Sequence, residues 1–154
     1  MVRCKSNTRF LNIKSLVLLT QTDTTVGFIS QNNSKLSNIK SRPESKPFIK
    51  VYNSLSLIKS RVPKSKKKLV RRAKKTTFII KNKAFRVDSS YKNSQILRDL
   101  NWHYSTSANE IGKNFNRDFC EHKTDIIIED KYGLHELSSS KLLKINDYKI
   151  RSLR

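Results

Sequence analysis

Short apolar runs separated by polar turns constrain the fold of this chain more than any other feature of its sequence. Nine runs of four or five residues contain β-branched, aromatic and other apolar side chains in patterns that predict β-strands. They lie at residues 16–19, 26–30, 48–52, 76–80, 84–87, 102–105, 125–129, 141–145 and 148–151. Short helical segments separate several of these runs. The alternation predicts an α/β domain (α+β in strict terms) in which helices flank a sheet.

The helical segments are predicted from capping residues and from apolar spacing. Ser34, Ser54 and Ser90 each precede apolar residues and are suitable N-caps, because a serine hydroxyl can accept from a free backbone N–H. A basic helix is predicted at residues 66–73, and a further helix passes through residues 115–119.

The length of 154 residues fits one domain, because domains typically have about 100–150 residues. We predict a basic N-terminal extension at residues 1–15 and the domain at residues 16–154. No apolar run approaches the ~20 residues that cross a bilayer, and the run at 16–19 is too short for a signal peptide. We therefore expect a soluble, cytoplasmic protein.

The two cysteines, Cys4 and Cys120, are far apart in the sequence. Cys120 and His122 offer two ligands of a type that zinc prefers, but a closed tetrahedral site needs further ligands that the sequence does not obviously supply. We predict isolated reduced thiols and no metal site formed by protein side chains.

Positive charge is concentrated in the middle of the chain. The sequence has 33 Lys and Arg against 12 Asp and Glu, a formal net charge of +21. Residues 31–88 account for +16 of that charge, and residues 89–154 for only +2. Such clustering attracts polyanions, because each neutralised phosphate releases counterions. The predicted RNA-binding residues are eight of the ten basic side chains in the densest stretch, residues 59–75: Lys64, Lys66, Lys67, Lys68, Arg71, Arg72, Lys74 and Lys75.

The densest stretch, residues 59–75, contains no aromatic residue. This composition favours phosphate contacts over base stacking, and therefore duplex or folded RNA read by its shape. A lysine-rich codon usage with a solvated surface is the alternative, but it does not explain the near-neutral C-terminal third.

Lys40 and Arg42 belong to the first of three polar segments whose side chains are suited to binding an anion. Pro43 favours an extended conformation for Arg42, and side chains two apart in an extended chain point to the same side. Together they would offer an ammonium and a planar guanidinium to phosphate or carbonate. A solvated pair of cations is the alternative.

The other two polar segments are rich in hydroxyl groups. Residues 104–109 (Tyr-Ser-Thr-Ser-Ala-Asn) end a predicted strand, where phosphate ligands commonly bind, although an ordinary Ser/Asn turn is the alternative. Ser107 has no evident base beside it, so a hydrolase triad is not indicated. Residues 20–27 link the first two predicted strands, and a simple polar connection is their alternative.

In this order, the polar segments resemble the motifs of the YrdC-like family, which includes threonylcarbamoyl-AMP synthases. Residues 22–27 are similar to its Thr-[Asp/Glu]-Thr-x-x-Gly turn. Residues 39–47 are similar to its Ile-x-Lys-x-Arg-Pro-x-x-x-Pro element, without the residue between isoleucine and lysine. Residues 84–87 resemble its Ala-x-Arg-Val strand, and residues 106–112 its Thr-Ser-Ala-Asn segment followed by glycine. The resemblance covers residues 16–151.

The resemblance implies a single YrdC-like domain with a twisted mixed β-sheet, flanked by helices, around a basic concave pocket. It implies a nucleotidyltransferase that condenses L-threonine, bicarbonate and ATP, with Mg²⁺, into threonylcarbamoyl-AMP. The product would serve threonylcarbamoyladenosine modification of tRNA, together with other proteins of that system. The alternatives are a non-catalytic double-stranded-RNA-binding protein of the same fold and a ribosome-associated basic protein.

The resemblance also implies roles for individual residues. Lys40 and Arg42 would be catalytic and would hold the ATP phosphates and bicarbonate. Thr22 and Arg86 would bind substrate. The full implied set of nucleotide-binding residues is Lys40, Arg42, Thr77, Ser107, Asn109, Ser140 and Arg151. We expect residues 40–42 and 107–109 to meet around one anion.

The chain departs from the family pattern at the implied threonine contacts. Val26 replaces an aromatic residue, Val51 replaces a polar residue, and residues 73–77 replace a Pro-Gly-Pro-x-Thr turn. These changes spare the phosphate-binding residues. Retained RNA or nucleotide binding with altered or lost synthesis is therefore a coherent alternative.

Overall fold

The computed structural model describes residues 2–4, 12–58, 62–88 and 95–154. The chain forms two compact units. The first consists of Met1–Phe48 and Tyr104–Ser138, and the second of Ile49–His103 and Ser139–Arg154. None of the helices in these described ranges is long and apolar enough to cross a membrane. The boundary expected after residue 15 stays a prediction.

The described residues form ten strands and four α-helices. The strands are β1 (Val2–Cys4), β2 (Leu18–Gln21), β3 (Val26–Ser30), β4 (Ile49–Tyr52), β5 (Thr76–Ile80), β6 (Lys83–Val87), β7 (Trp102–Ser107), β8 (Ile126–Ile128), β9 (Lys141–Ile145) and β10 (Ile150–Ser152). The helices are α1 (Asn33–Ile39), α2 (Lys67–Arg72), α3 (Gln95–Asp99) and α4 (Arg117–His122). Single 3-10 turns lie at Ile13–Ser15, Leu55–Leu57 and Lys64–Lys66.

The sheet of the first unit has the strand order β1-β8-β2-β3-β7. β2 runs parallel to β8, and the β1–β8, β2–β3 and β3–β7 pairs are antiparallel. All five residues of β3 are buried, as expected for a strand covered on both faces. The predicted mixed sheet with flanking helices is confirmed.

The core of the first unit joins the sheet to α1 and α4. Leu19 and Phe28 from the strands pack with Leu36 of α1 and Cys120 of α4, and all four are fully buried. Each large apolar side chain buried in this way contributes about 1.5–3 kcal/mol. Asn32, rather than the predicted Ser34, caps α1: its side chain accepts from the backbone N–H of Lys35 at 3.0 Å.

The sheet of the second unit has the strand order β4-β6-β5-β9-β10. The β4–β6 and β5–β9 pairs are parallel, whereas β5–β6 and β9–β10 are antiparallel. Lys81 and Asn82 form the two-residue turn between β5 and β6, both with positive φ (47° and 61°), the geometry of a type I′ hairpin. Phe78 and Phe85 stack across this hairpin with ring centroids 6.0 Å apart.

Of the two helices predicted after Ser54 and at residues 66–73, only the second forms. The helix predicted after Ser54 is wrong: the serine side chain does cap, but the chain forms only the 3-10 turn Leu55–Leu57. The predicted basic helix is confirmed as α2, which buries Val70 against the core. The predicted cap at Ser90 lies outside the described residues.

Candidate functional site

The end of α1 places Lys40 and Arg42. Ser41 adopts a left-handed conformation with φ 43°. Its N–H donates to Asn38 at 3.2 Å, and the N–H of Arg42 donates to Ser37 at 3.1 Å. This pair of bonds is a Schellman motif, which satisfies the last carbonyls of a helix by turning the chain back. The extended geometry predicted for residues 40–42 is therefore wrong, because the helix end imposes a turn there.

Lys40 is only 8% exposed, and its ammonium binds the end of β7 and the segment that follows it. Its Nζ donates to the side-chain oxygen of Asn109 at 2.9 Å, to the carbonyl of Asn109 at 2.5 Å and to the carbonyl of Ser107 at 3.2 Å. An ammonium has three donors, so all are used. Lys40 thereby fixes a turn nearly seventy residues away in the sequence.

The turn after β7 is also fixed by its own side chains. Ser107 Oγ donates to Asn109 Oδ1 at 2.6 Å, and Asn109 Nδ2 donates to the carbonyl of Lys113 at 2.6 Å. Between them, Ala108 is buried and its N–H donates to Val26 of β3. We call Lys40, Arg42, Ser107 and Asn109 the Lys40 cluster.

Arg42 is held by contacts on one edge and one face of its guanidinium. Nη2 donates to the carbonyls of Lys46 and Pro47 at 2.9 and 3.0 Å. The guanidinium carbon lies 3.6 Å from the centroid of the Phe48 ring, a cation–π contact. Its Nε is buried and has no hydrogen-bond partner among the described residues. Arg42 therefore has a fixed position.

The Lys40 cluster carries positive charge that no carboxylate balances. Burial lowers the pKa of Lys40, and the neighbouring charge of Arg42 lowers it further. Burial also lowers the pKa of Arg42. Within the described part of the chain, no carboxylate forms an ion pair with either residue. Cations withdrawn from water without a counterion favour an anionic ligand.

Thr22 lies in the same unit, where its hydroxyl closes the β2–β3 turn. Its Oγ1 donates to the carbonyl of Thr25 at 2.6 Å and accepts from the N–H groups of Thr24 and Thr25 at 3.2 Å. Gly27 permits the close packing beside it, since an added Cβ would lie 3.1 Å from both the Thr106 carbonyl and the Thr22 methyl. Substrate binding by Thr22 stays a prediction.

In the second unit, three of the predicted residues form a buried network. The hydroxyls of Thr77 and Ser140 are 2.9 Å apart, and Arg86 Nη2 donates to Thr77 Oγ1 at 3.2 Å. Arg151 is exposed on β10, and it makes none of these contacts. The Ser140 carbonyl instead accepts from Nε of Arg154 at 3.3 Å. Arg154 was missed because no motif distinguishes it from the other basic residues nearby.

The predicted RNA-binding residues lie on and beside α2. Seven of the eight are exposed, and Lys66 is half-buried. The second unit contains 21 basic and three acidic residues, a formal charge of +18, whereas the first carries +3. The basic stretch therefore belongs to a unit that is strongly cationic throughout.

Cys120 shows no feature of a reactive or metal-binding thiol. It is buried, it donates to the Ala108 carbonyl at 3.2 Å, and burial raises its pKa to about 11. A metal ligand must be the thiolate. Across the described ranges, no group of three His, Cys, Asp or Glu residues could hold a metal ion.

Comparison with solved structures identifies the fold. No family model and no curated protein matches the chain. Sua5 of P. abyssi, complexed with L-threonine, matches 92% of this chain with a TM-score of 0.73 and 16% identity. A full-length HypF in its phosphate- and nucleotide-bound form matches 100% of the chain with a TM-score of 0.74 and 11% identity. The chain has the YrdC-like fold.

The YrdC-like fold confirms the prediction made from the motifs. The small protein MTH1692 of Methanobacterium thermoautotrophicum also matches, over 91% of this chain and 80% of its own, with a TM-score of 0.63 and 19% identity. The chain spans about half of the Sua5 structure (51%) and 25% of the HypF structure. At these identities the likeness establishes the fold alone.

Proposed function

We propose that this YrdC-like chain is an L-threonylcarbamoyladenylate synthase that binds ATP at the Lys40 cluster. The observation that carries the proposal is the pair of neighbouring cations, the buried Lys40 and the half-buried Arg42, with which no described carboxylate forms an ion pair. The Sua5 structure with L-threonine and the HypF structure with phosphate and nucleotide support the same ligand classes. tRNA and other threonylcarbamoylation proteins would be its partners.

The reaction fits the chemistry of these side chains. The amine of threonine adds to bicarbonate and water leaves, which gives a carbamate. A carbamate oxygen then bonds to the α-phosphorus of ATP, the bond from that phosphorus to the β-phosphate oxygen breaks, and pyrophosphate departs with the electron pair. Fixed cations stabilise the charge that develops on the phosphate oxygens.

Each residue of the Lys40 cluster would have a distinct role. Arg42 would donate to a phosphate oxygen from the part of its guanidinium that the carbonyls of Lys46 and Pro47 do not occupy, while those contacts hold it in place. Lys40 would exchange one of its three present acceptors for a phosphate oxygen, because charge-assisted bonds are stronger than those to neutral carbonyls. Ser107 and Asn109 would position Lys40. Mg²⁺ would arrive on the ATP phosphates, which commonly supply its ligands.

The test is release of pyrophosphate that requires both threonine and bicarbonate. We expect Arg42→Ala to lower kcat/KM about 10²–10³-fold, the range for losing one donor aimed at developing charge. Arg42→Lys should recover only part of that loss, since it restores charge without the planar guanidinium. Arg98→Ala, at an exposed arginine of α3, is the matched control.

Two results would contradict the assignment: full activity in Arg42→Ala, or pyrophosphate release by the wild type without threonine. Because Arg42 packs on Phe48, the melting temperature of each variant must be measured alongside the rates. A variant that unfolds is replaced in the comparison by Arg42→Lys.

The charge of the second unit favours a second candidate, a non-catalytic RNA-binding protein of the same fold. The second unit carries a formal charge of +18 but does not contain the Lys40 cluster, so phosphate binding at that cluster does not account for this charge. Val26 and Val51, which replace residues of the family pattern, are both buried apolar side chains. Steeply salt-dependent RNA binding without threonine-dependent pyrophosphate release would favour this candidate.

A further inference from the structure

A lysine-lined cavity lies wholly within the second unit, and none of its residues belongs to the Lys40 cluster. Its volume is about 650 Å³, within the range of ligand sites. Among the described residues, its charged lining residues are Lys64, Lys67, Lys81 and Asp147, which are three cations and one carboxylate. Apolar side chains, among them Ile80 and Ile145, complete the lining. The cavity suits a phosphate group attached to an apolar or aromatic body.

The β9–β10 hairpin carries an aromatic residue next in sequence to two residues of the cavity lining. Asn146 and Asp147 of the hairpin line the cavity, and Tyr148 follows them directly. The side chain of Asn146 accepts from the N–H groups of Tyr148 and Lys149 at 3.0 and 2.8 Å, which fixes the turn. Tyr148 is nevertheless 93% exposed. The turn thus leaves the side chain of Tyr148 exposed to solvent, next in sequence to the lining residue Asp147.

Cations combined with an exposed aromatic ring are the usual elements of single-strand binding sites. Each unpaired base has a face that can stack on an aromatic side chain, while cations follow the phosphates. Duplex RNA buries its base faces and is recognised through phosphates and 2′-hydroxyls, so an exposed tyrosine adds little there. The combination therefore favours an unpaired nucleotide over a duplex.

We propose that the cavity binds a backbone phosphate of an unpaired RNA nucleotide whose base stacks on Tyr148. This inference rests on the RNA partner of the proposed function and specifies which part of the RNA is bound. The sequence argued against stacking because residues 59–75 contain no aromatic residue. The fold supplies one from residue 148, far along the chain.

The first test compares two RNAs by fluorescence anisotropy: an unstructured oligonucleotide of about 12 nucleotides and a blunt duplex of about 16 base pairs. We expect Tyr148→Ala to weaken single-strand binding about tenfold and duplex binding less than twofold, and Tyr148→Phe to bind like wild type. Tyr132→Ala is the matched control, because Tyr132 is also exposed (73%) but belongs to the first unit.

The second test removes cavity charge. Lys64→Gln with Lys67→Gln should reduce the salt slope of single-strand binding by about 0.7, the value for losing contact with one phosphate. Lys123→Gln with Lys131→Gln removes two exposed lysines from the first unit and should leave the slope unchanged.

Several results would overturn the inference: wild-type single-strand affinity in Tyr148→Ala, equal losses on both RNAs, equal slope changes in the two lysine variants, or no single-strand binding by the wild type. Threonine-dependent pyrophosphate release, measured without RNA, keeps the two proposals separate. If Tyr148→Ala releases pyrophosphate normally but has lost single-strand affinity, the inference is supported. If wild type binds single strands without synthesis, only the proposed function fails.

Discussion

Ser41 bears the backbone strain of the Lys40 cluster, because a left-handed φ of 43° is unfavourable for a residue with a Cβ. We expect Ser41→Gly to raise the free energy of unfolding by about 0.5–1 kcal/mol, since glycine adopts this conformation without a steric penalty. Ser34→Gly, at an exposed helical position of α1, is the control and should lower stability by about 0.5 kcal/mol. Urea unfolding distinguishes them, and a loss of stability in both would contradict the assigned role of Ser41.

His103 makes the second unit sensitive to acid. Its ring is fully buried, and burial together with the charge of Arg86 lowers its pKa from 6.5 to about 3. Between those values the unfolded chain binds a proton that the folded chain does not, so stability is complete above pH 6.5 and is lost as the pH falls toward 3. The expected loss from pH 7.5 to pH 5 is about 2 kcal/mol.

Urea unfolding at both pH values measures this loss. His103→Gln should reduce the difference between the two pH values even if it lowers stability at each. The exposed His135→Gln is the control for loss of a histidine as such. An unchanged pH difference in His103→Gln would show that another group is responsible.

At the residue level, the sequence predicted which side chains meet but not how. Lys40 and Asn109 were placed together by the resemblance to known motifs, and the structure brings them into contact. The contact of Arg42 with Phe48 was not foreseen, because the Pro43 preference describes only local backbone. The turn at Ser41 forms because the last carbonyls of α1 need hydrogen-bond donors. The preference of the residue before Pro43 for an extended backbone gives no information about that turn.

At the level of elements, the approach of β7 to the β2–β3 turn depends on Gly27. A Cβ there would lie 3.1 Å from the backbone carbonyl of Thr106, which cannot move without shifting β7. We expect Gly27→Ala to lower the free energy of unfolding by about 1–3 kcal/mol, the usual range for overpacking. Gly112→Asn is the contrasting control, since Gly112 has a positive φ with open space around it and asparagine tolerates that conformation.

Chemical denaturation of the two glycine variants provides the measurement. A stable Gly27→Ala protein would mean that β7 can move away from the turn. In that case the close packing at Gly27 would not determine the position of the Lys40 cluster.

The elements themselves were predicted with uneven success. Each of the nine apolar runs overlaps a strand, because β-branched and aromatic residues in short runs carry a local signal. β1 was missed: Val2–Cys4 is too short to show a pattern, and it is defined by pairing with β8 across most of the chain. The strand orders of both units depend on such distant pairs, which local patterns do not encode.

For the whole molecule, charge separates the two units more sharply than the sequence windows suggested. The second unit has +18 of the net +21, because the C-terminal strands β9 and β10 add cations to those of residues 59–75. The acidic residues of the C-terminal third belong mainly to the first unit. Two kinds of anion binding are therefore proposed, nucleotide phosphate in the first unit and RNA in the second.

The most direct measurement is a calorimetric titration of the full chain with ATP and Mg²⁺, with and without threonine and bicarbonate. The proposal predicts one saturable site, with ATP affinity at least about tenfold weaker in Arg42→Ala and unchanged in Arg98→Ala, as expected for a charge-assisted contact. It also predicts additional heat from turnover only when both co-substrates are present. ATP binding that is absent in wild type, or equally strong in Arg42→Ala, would contradict a nucleotide site at the Lys40 cluster.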